Sequence, residues 1–176
     1  MENGIIVKPN KNVFLLYALL DSHGLMRGDV GTHPIRKETY ENFKDYQGIG
    51  LTIHDYKHHS KAVTFVLTRN GPPDFSEKYN PALISYLEHE LIYGSGILKY
   101  LIHFYQNTNF EKYYKKILPE YKNECGKLES HIKNKNINKV LNDTWGTNDE
   151  FEMIVIPMPL EGCRSGVGPS ILNIAY

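Results

Sequence analysis

The stretch NKNVFLLYALLDSHG, Asn10 to Gly24, reads as a helix with both ends marked. Asn10 or Asn12 supplies the N-cap, a dense apolar run fills the middle, and Gly24 supplies the stop. Just ahead of it, GIIVKP (Gly4–Pro9) is short and β-branched, a candidate edge strand. Beyond it, residues 25–35 hold Gly28, Gly31 and Pro34 and read as a loop. A second helix is expected over Arg36–Tyr46, closed by Gly48 and Gly50, and Thr52 opens a third that stops at Asn70-Gly71-Pro72-Pro73. Asn80-Pro81 is a cap-plus-first-turn pair for a fourth helix through ALISYLEHELIY to Gly94. Ser95 caps a continuation in which Ile97, Leu98, Leu101, Ile102 and Tyr105 form one apolar face. Asn109 then caps FEKYYKKILPEYKNECGKLESHIKNK, which Pro119 is expected to kink or split. A short helix near Ile137–Asn142 follows, and only at Glu150–Pro159 does the pattern turn β-rich. The expectation is one α+β domain over residues 1–176, mainly helical with a small C-terminal antiparallel β element.

Composition narrows the function classes. With 41% hydrophobic and 23% charged residues the chain is globular, and at 176 residues it can bury a core without staples. Twenty basic and twenty acidic residues cancel, so no global field draws nucleic acid or an anionic membrane. No apolar run approaches the roughly 20 residues that span a bilayer, and MENGIIVKPNKN is too short in apolar residues for a secretion signal. A cytoplasmic protein is expected, with Cys125 and Cys163 reduced.

Four motifs could carry chemistry. In IHDYKHH, His54 and His58 sit four apart and share a helix face, the spacing of paired metal ligands. A zinc site needs a third ligand that no local spacing marks, so a solvated polar face is the plainer reading. His89-Glu90 begins the zinc-peptidase signature His-Glu-x-x-His, but Tyr93 stands where the second histidine must be. Tyr79, Tyr86, Tyr93 and Tyr100 recur every seven residues and could stack bases or sugars. Gly94 and Gly96 interrupt that ladder, and rings at the core margin with wet hydroxyls account for it. The loop GCRSGVGPS fails the phosphate-loop pattern, since Pro169 takes the lysine position and removes an amide donor. Cys163 beside Arg164 is a weak candidate for an activated thiol and for a hydrolase built on it; its base would have to come from elsewhere in the fold.

The order of segments resembles a zincin-like family of unknown function whose members are predicted metallopeptidases. VKPNKNVFLLYALLDSHG is similar to the family's opening P-x-x-x-x-x-L helix, and ETYENFKDYQG to the tyrosine- and lysine-rich helix end that follows. HFYQNTNFEKYYKKILPEY resembles its FY-x-x-T-x-F segment, and FEMIVIPMPLEG its closing strand and Gly loop. The resemblance implies that Met153–Leu160, with Ile154 and Ile156, edges a cleft and pairs with an extended peptide. It further implies that Gly162, Arg164 and Gly166 form the rim. In that family the zinc helix lies downstream of this loop, and no His-Glu-x-x-His occurs in these 176 residues. No metal or catalytic residue therefore carries over. The chain is expected to be the N-terminal portion of such a protein or a shortened relative, with no cofactor of its own and zinc only if a downstream segment supplies ligands. A non-enzymatic module that binds a peptide or protein is the alternative.

Overall fold

The computed structural model describes residues 5–26, 33–51, 59–78, 96–145, 151–156 and 171–175. Their elements run β1 (Ile5–Lys8), α1 (Lys11–Ser22), α2 (Pro34–Phe43), α3 (His59–Leu67), α4 (Leu98–Asn107), α5 (Phe110–Asn134), α6 (Ile137–Trp145), β2 (Phe151–Ile156) and β3 (Ile171–Ala175). The mainly helical α+β reading holds for them.

Helix α1 is capped as its sequence demands. The Asn10 side chain accepts from the Val13 amide at 3.0 Å. At the other end Gly24 takes φ +65°, a conformation that favours glycine. There Leu25 N–H reaches Leu20 O and Gly24 N–H reaches Asp21 O, the paired bonds of a Schellman motif. Between the caps, ten consecutive residues from Asn12 to Asp21 are buried. A helix apolar on every side must be enclosed on every side. Accordingly α2, α3 and α4 pack against it, and Phe14 meets the rings of Phe110, Tyr114 and Tyr121 on α5 at 5.5–6.2 Å. Each fully buried Leu, Val or Phe on α1 contributes about 1.5–3 kcal/mol.

The polar residues at the two ends of this buried run fasten neighbouring helices. Asn12 is not a cap of its own helix. Its amide Nδ2 donates to Val66 O at 3.0 Å and Arg69 O at 2.8 Å, closing the carbonyl end of α3. Asp21 holds Arg36 of α2 through two bonds, Nη2 to Oδ1 at 3.0 Å and Nε to Oδ2 at 3.3 Å. Both side chains are essentially dry, at 1% and 3% exposure. The fork of guanidinium on carboxylate satisfies both charges where water does not reach them.

Helix α2 begins two residues before the expected Arg36, because Pro34 opens the helix instead of ending a loop. Its fixed φ suits the first turn, and the missing N–H would have had no helical partner there. The apolar face expected for α4 is turned in the structure. Ile97 and Leu101 are buried as predicted, but Tyr100 and Phe104 are buried with them, while Leu98, Ile102 and Tyr105 are only partly covered. Aromatic packing sets this rotation: Phe104 lies 5.0 Å from Phe43, 4.8 Å from Tyr46 and 6.3 Å from Phe110. Pro119 does not split α5, which continues to Asn134. The proline and Lys115, whose carbonyl loses its helical bond, are both exposed, so that carbonyl is not left in an apolar interior.

The β element departs from the expected antiparallel one. β1 pairs with β2 and β2 with β3, both in parallel, giving the order β1-β2-β3. An antiparallel neighbour can follow a two-residue turn, whereas a parallel one needs a crossover of a dozen or more residues. Residues 157–170 between β2 and β3 have that length. The element is also not purely C-terminal, since β1 lies at one edge as its sequence suggested. Ile5 and Val7 of β1 are buried and α5 packs on this strand. Asn138 of α6 accepts from the Ile5 amide at 3.1 Å. Among the described residues no helix is long and apolar enough to cross a membrane.

The buried ion pair gives a sharp test. Asp21→Ala removes the carboxylate that balances a guanidinium in a dry site and is expected to cost about 3–5 kcal/mol in urea unfolding. Asp21→Leu combined with Arg36→Met should recover most of that loss, because neither charge then remains to be solvated. A double variant as unstable as Asp21→Ala would show that the charges themselves hold α2 in place.

Candidate functional site

Ile154 and Ile156 lie on β2, and β2 is the central strand. Ile154 is in register with Lys8 on one side and Asn173 on the other; Ile156 is in register with Ala175. The expected peptide-pairing edge at Met153–Leu160 is thus occupied by neighbours over the part that forms β2. The free edge on this side of the sheet belongs to β3, which among the described residues pairs only with β2. The rim positions Gly162, Arg164 and Gly166, and the thiol candidate Cys163, lie outside the described residues, as do His54, His58, His89 and Glu90. Of the tyrosine ladder only Tyr100 is described. It is 6% exposed, a core ring with Lys99 Nζ 4.6 Å from its centre rather than a stacking platform. Among the described residues no group of three or more His, Cys, Asp or Glu side chains could hold a metal ion.

A constellation the sequence reading did not single out forms where α1, the segment after α2, and α4 converge. The Tyr46 hydroxyl lies 2.6 Å from His103 Nδ1, and the His23 ring stands edge-on to Tyr46 at 5.6 Å. Burial pushes the Tyr46 hydroxyl above its ordinary range. As a neutral phenol it can donate to His103 Nδ1 or accept from it, so the direction of this bond follows the His103 tautomer. The His23 ring is fixed by its own contact. Its Nδ1 faces the Leu19 carbonyl at 3.0 Å, and a carbonyl only accepts, so Nδ1 carries the proton. Ser22 Oγ, which donates to Leu19 O at 2.7 Å, shares that imidazole proton at 3.1 Å. The two imidazoles thus flank one phenol. Gly48 makes this possible, since a Cβ there would collide with the Tyr46 ring folded over it. That glycine was the one local signal, and as sequence it reads only as a helix stop.

A second polar cluster fastens α1 to α5. Lys11 Nζ pairs with Glu111, flanked by the rings of Tyr105 and Tyr114 about 6 Å away. The hydrogen bond from Lys11 holds the Glu111 carboxyl below the usual carboxylate range. This cluster is a tether between two helix starts. Further inside, the Tyr113 hydroxyl meets Thr39 Oγ1 at 2.9 Å, and burial raises it far above the ordinary phenol range.

No family model, curated protein or solved structure matches this chain.

The two cysteines can be told apart experimentally. Cys125 is 4% exposed on α5, and burial pushes its thiol up to about 11, so it is inert in the folded chain. Labelling of Cys125 by a thiol reagent at neutral pH is therefore expected only in denaturant, so any label taken up by the native protein reports Cys163. A Cys163 rate no faster than that of free cysteine removes the thiol-hydrolase reading, whereas a rate tenfold or more above it, lost on replacing a single histidine, supports it.

Proposed function

We propose that this chain is the scaffold region of a zincin-like metallopeptidase, lacking a catalytic zinc motif of its own, and that it receives an extended peptide along β3. The observation that carries the reading is the position of β3 at the margin of the sheet. Its sequence, Ile-Leu-Asn-Ile-Ala, contains no lysine, proline or other charge. Soluble proteins guard such edges with charges, prolines or a covering segment, because unpaired N–H and C=O groups otherwise recruit a strand. An edge of this composition, which among the described residues pairs on one side only, suits strand addition, in which backbone bonds give affinity and alternate pockets give selectivity. The resemblance in segment order supplies the peptidase class, with the pairing role carried by β3 in place of β2. Ile154, Ile156, Gly162, Arg164 and Gly166 stay in the proposal as the strand and loop leading to that edge.

The same edge favours a second reading, a non-enzymatic module that captures a peptide or protein strand. The two separate on sequence and metal. A reading frame that continues past Tyr176 into a His-Glu-x-x-His helix selects the peptidase, and its absence selects the module. Stoichiometric zinc in the purified 176-residue chain would contradict both.

Peptide addition is tested with proline substitutions at neighbouring β3 positions. Successive N–H groups of a strand point to opposite sides, so Leu172→Pro and Asn173→Pro remove donors from opposite edges. Binding is read by fluorescence anisotropy with a labelled pool of random octapeptides. One variant should lose peptide binding while keeping its thermal midpoint; the other should lose stability. Equal peptide affinity in both variants and the parent, or no binding by the parent, would refute the pairing.

A further inference from the structure

The first turn of α2 is capped by a histidine, an unusual choice where Ser, Thr, Asp or Asn is favoured. The Ile35 amide donates to His33 Nδ1 at 3.2 Å, with His33 in extended backbone at φ −131° and ψ 131°. An imidazole nitrogen can accept this bond only while it carries no proton. The His33 carbonyl also receives the Lys37 amide at 2.9 Å, so one residue closes the turn from both sides. That turn carries Ile35 and Arg36, at 0% and 1% exposure, and Arg36 is the partner of buried Asp21.

We propose that His33 is an acid-released latch on α2. In its neutral form the imidazole caps the helix; once protonated it gives up the Ile35 amide and turns toward carboxylates on α5. The α5 charges that act on it are Glu124 and Glu120, which favour its protonation, and Lys127, which opposes it. Lys127 is paired with Glu124 Oε1 at 2.7 Å, and Glu120 and Glu124 are the receivers this latch requires. On its own helix, Arg36 is engaged by Asp21. Desolvation, the larger influence, lowers the proton affinity of His33 and outweighs the attraction of the two glutamates. The sign follows. Because the folded form binds the proton less readily than the unfolded chain, the cap's contribution is complete above about pH 6.5. It is then lost as pH falls through the lower folded value. The latch loosens the α2 end of the Asp21–Arg36 connection without touching α1.

Amide exchange and imidazole nitrogen spectra of the full chain test this between pH 7.5 and pH 5. The His33 Nδ1 signal should be that of an unprotonated acceptor at pH 7.5. Protection of the Ile35 amide, corrected for intrinsic rate, should fall about fivefold on acidification, the scale of one helix cap. His33→Asn and His33→Ser, which cap without titrating, should hold Ile35 protection constant across the range; either variant suffices if the other folds poorly. Glu120→Gln with Glu124→Gln should move the release to lower pH. A protonated Nδ1 at pH 7.5, pH-independent protection in the parent, or the same acid loss in both cap variants would overturn the latch. An unmoved midpoint in the glutamine pair would overturn the role of α5 as receiver.

Discussion

Everything described here follows from a helix that has no side for water. Ten successive residues of α1 are enclosed, and no single neighbour can cover a cylinder whose whole circumference is apolar. The chain meets this demand by wrapping α2, α3 and α4 around α1 and laying the aromatic face of α5 along Phe14. The shell helices have ordinary amphipathic sequences, so each owes most of its stability to packing rather than to propensity. The sheet is attached secondarily, through α5 packed on β1 and the Asn138 bond to Ile5.

Burial alone does not choose an arrangement, because apolar surfaces slide over one another at little cost. Direction comes from the polar groups enclosed with them. Asn12 fits only against the open carbonyls at the end of α3, and Asp21 only against the Arg36 fork. The Thr39–Tyr113 bond adds a third fixed point between α2 and α5. Each would leave an unsatisfied buried group if its helix shifted. The same convergence at the end of α1 brings His23 beside Tyr46 and, through Tyr46, His103.

Local signals were legible where the physics is local. The glycine stop at Gly24 and the breaker after α3 could be read directly from residue types, and the cap was narrowed to Asn10 or Asn12, of which Asn10 takes the role. Pro34 was misread because a proline that begins a helix and one that ends a loop look alike until the first turn is in place. Pro119 was expected to kink or split α5; the helix is not split, and the cost of a proline depends on which face it occupies, a tertiary fact. The α4 stripe was assigned from aliphatic residues, whereas the ring of Phe104 determined which side turned inward. Strand direction was out of reach, since β1 and β2 are separated by nearly the whole chain and pairing sense leaves no mark in either strand. The Tyr46–His103 contact joins residues 57 apart through a glycine that carries no chemical signal of its own.

If α1 is the organising element, its amides open only when the entire fold opens. Native-state hydrogen exchange across a denaturant series measures this residue by residue. The amides of Leu15 to Leu20 should show the largest opening free energies in the chain, equal to that of global unfolding and with the global denaturant dependence. α2, the C-terminal half of α5 and the strands should exchange through smaller openings while α1 stays closed. Exchange of the α1 amides through a partial opening, with α5 and the sheet still protected, would contradict the account.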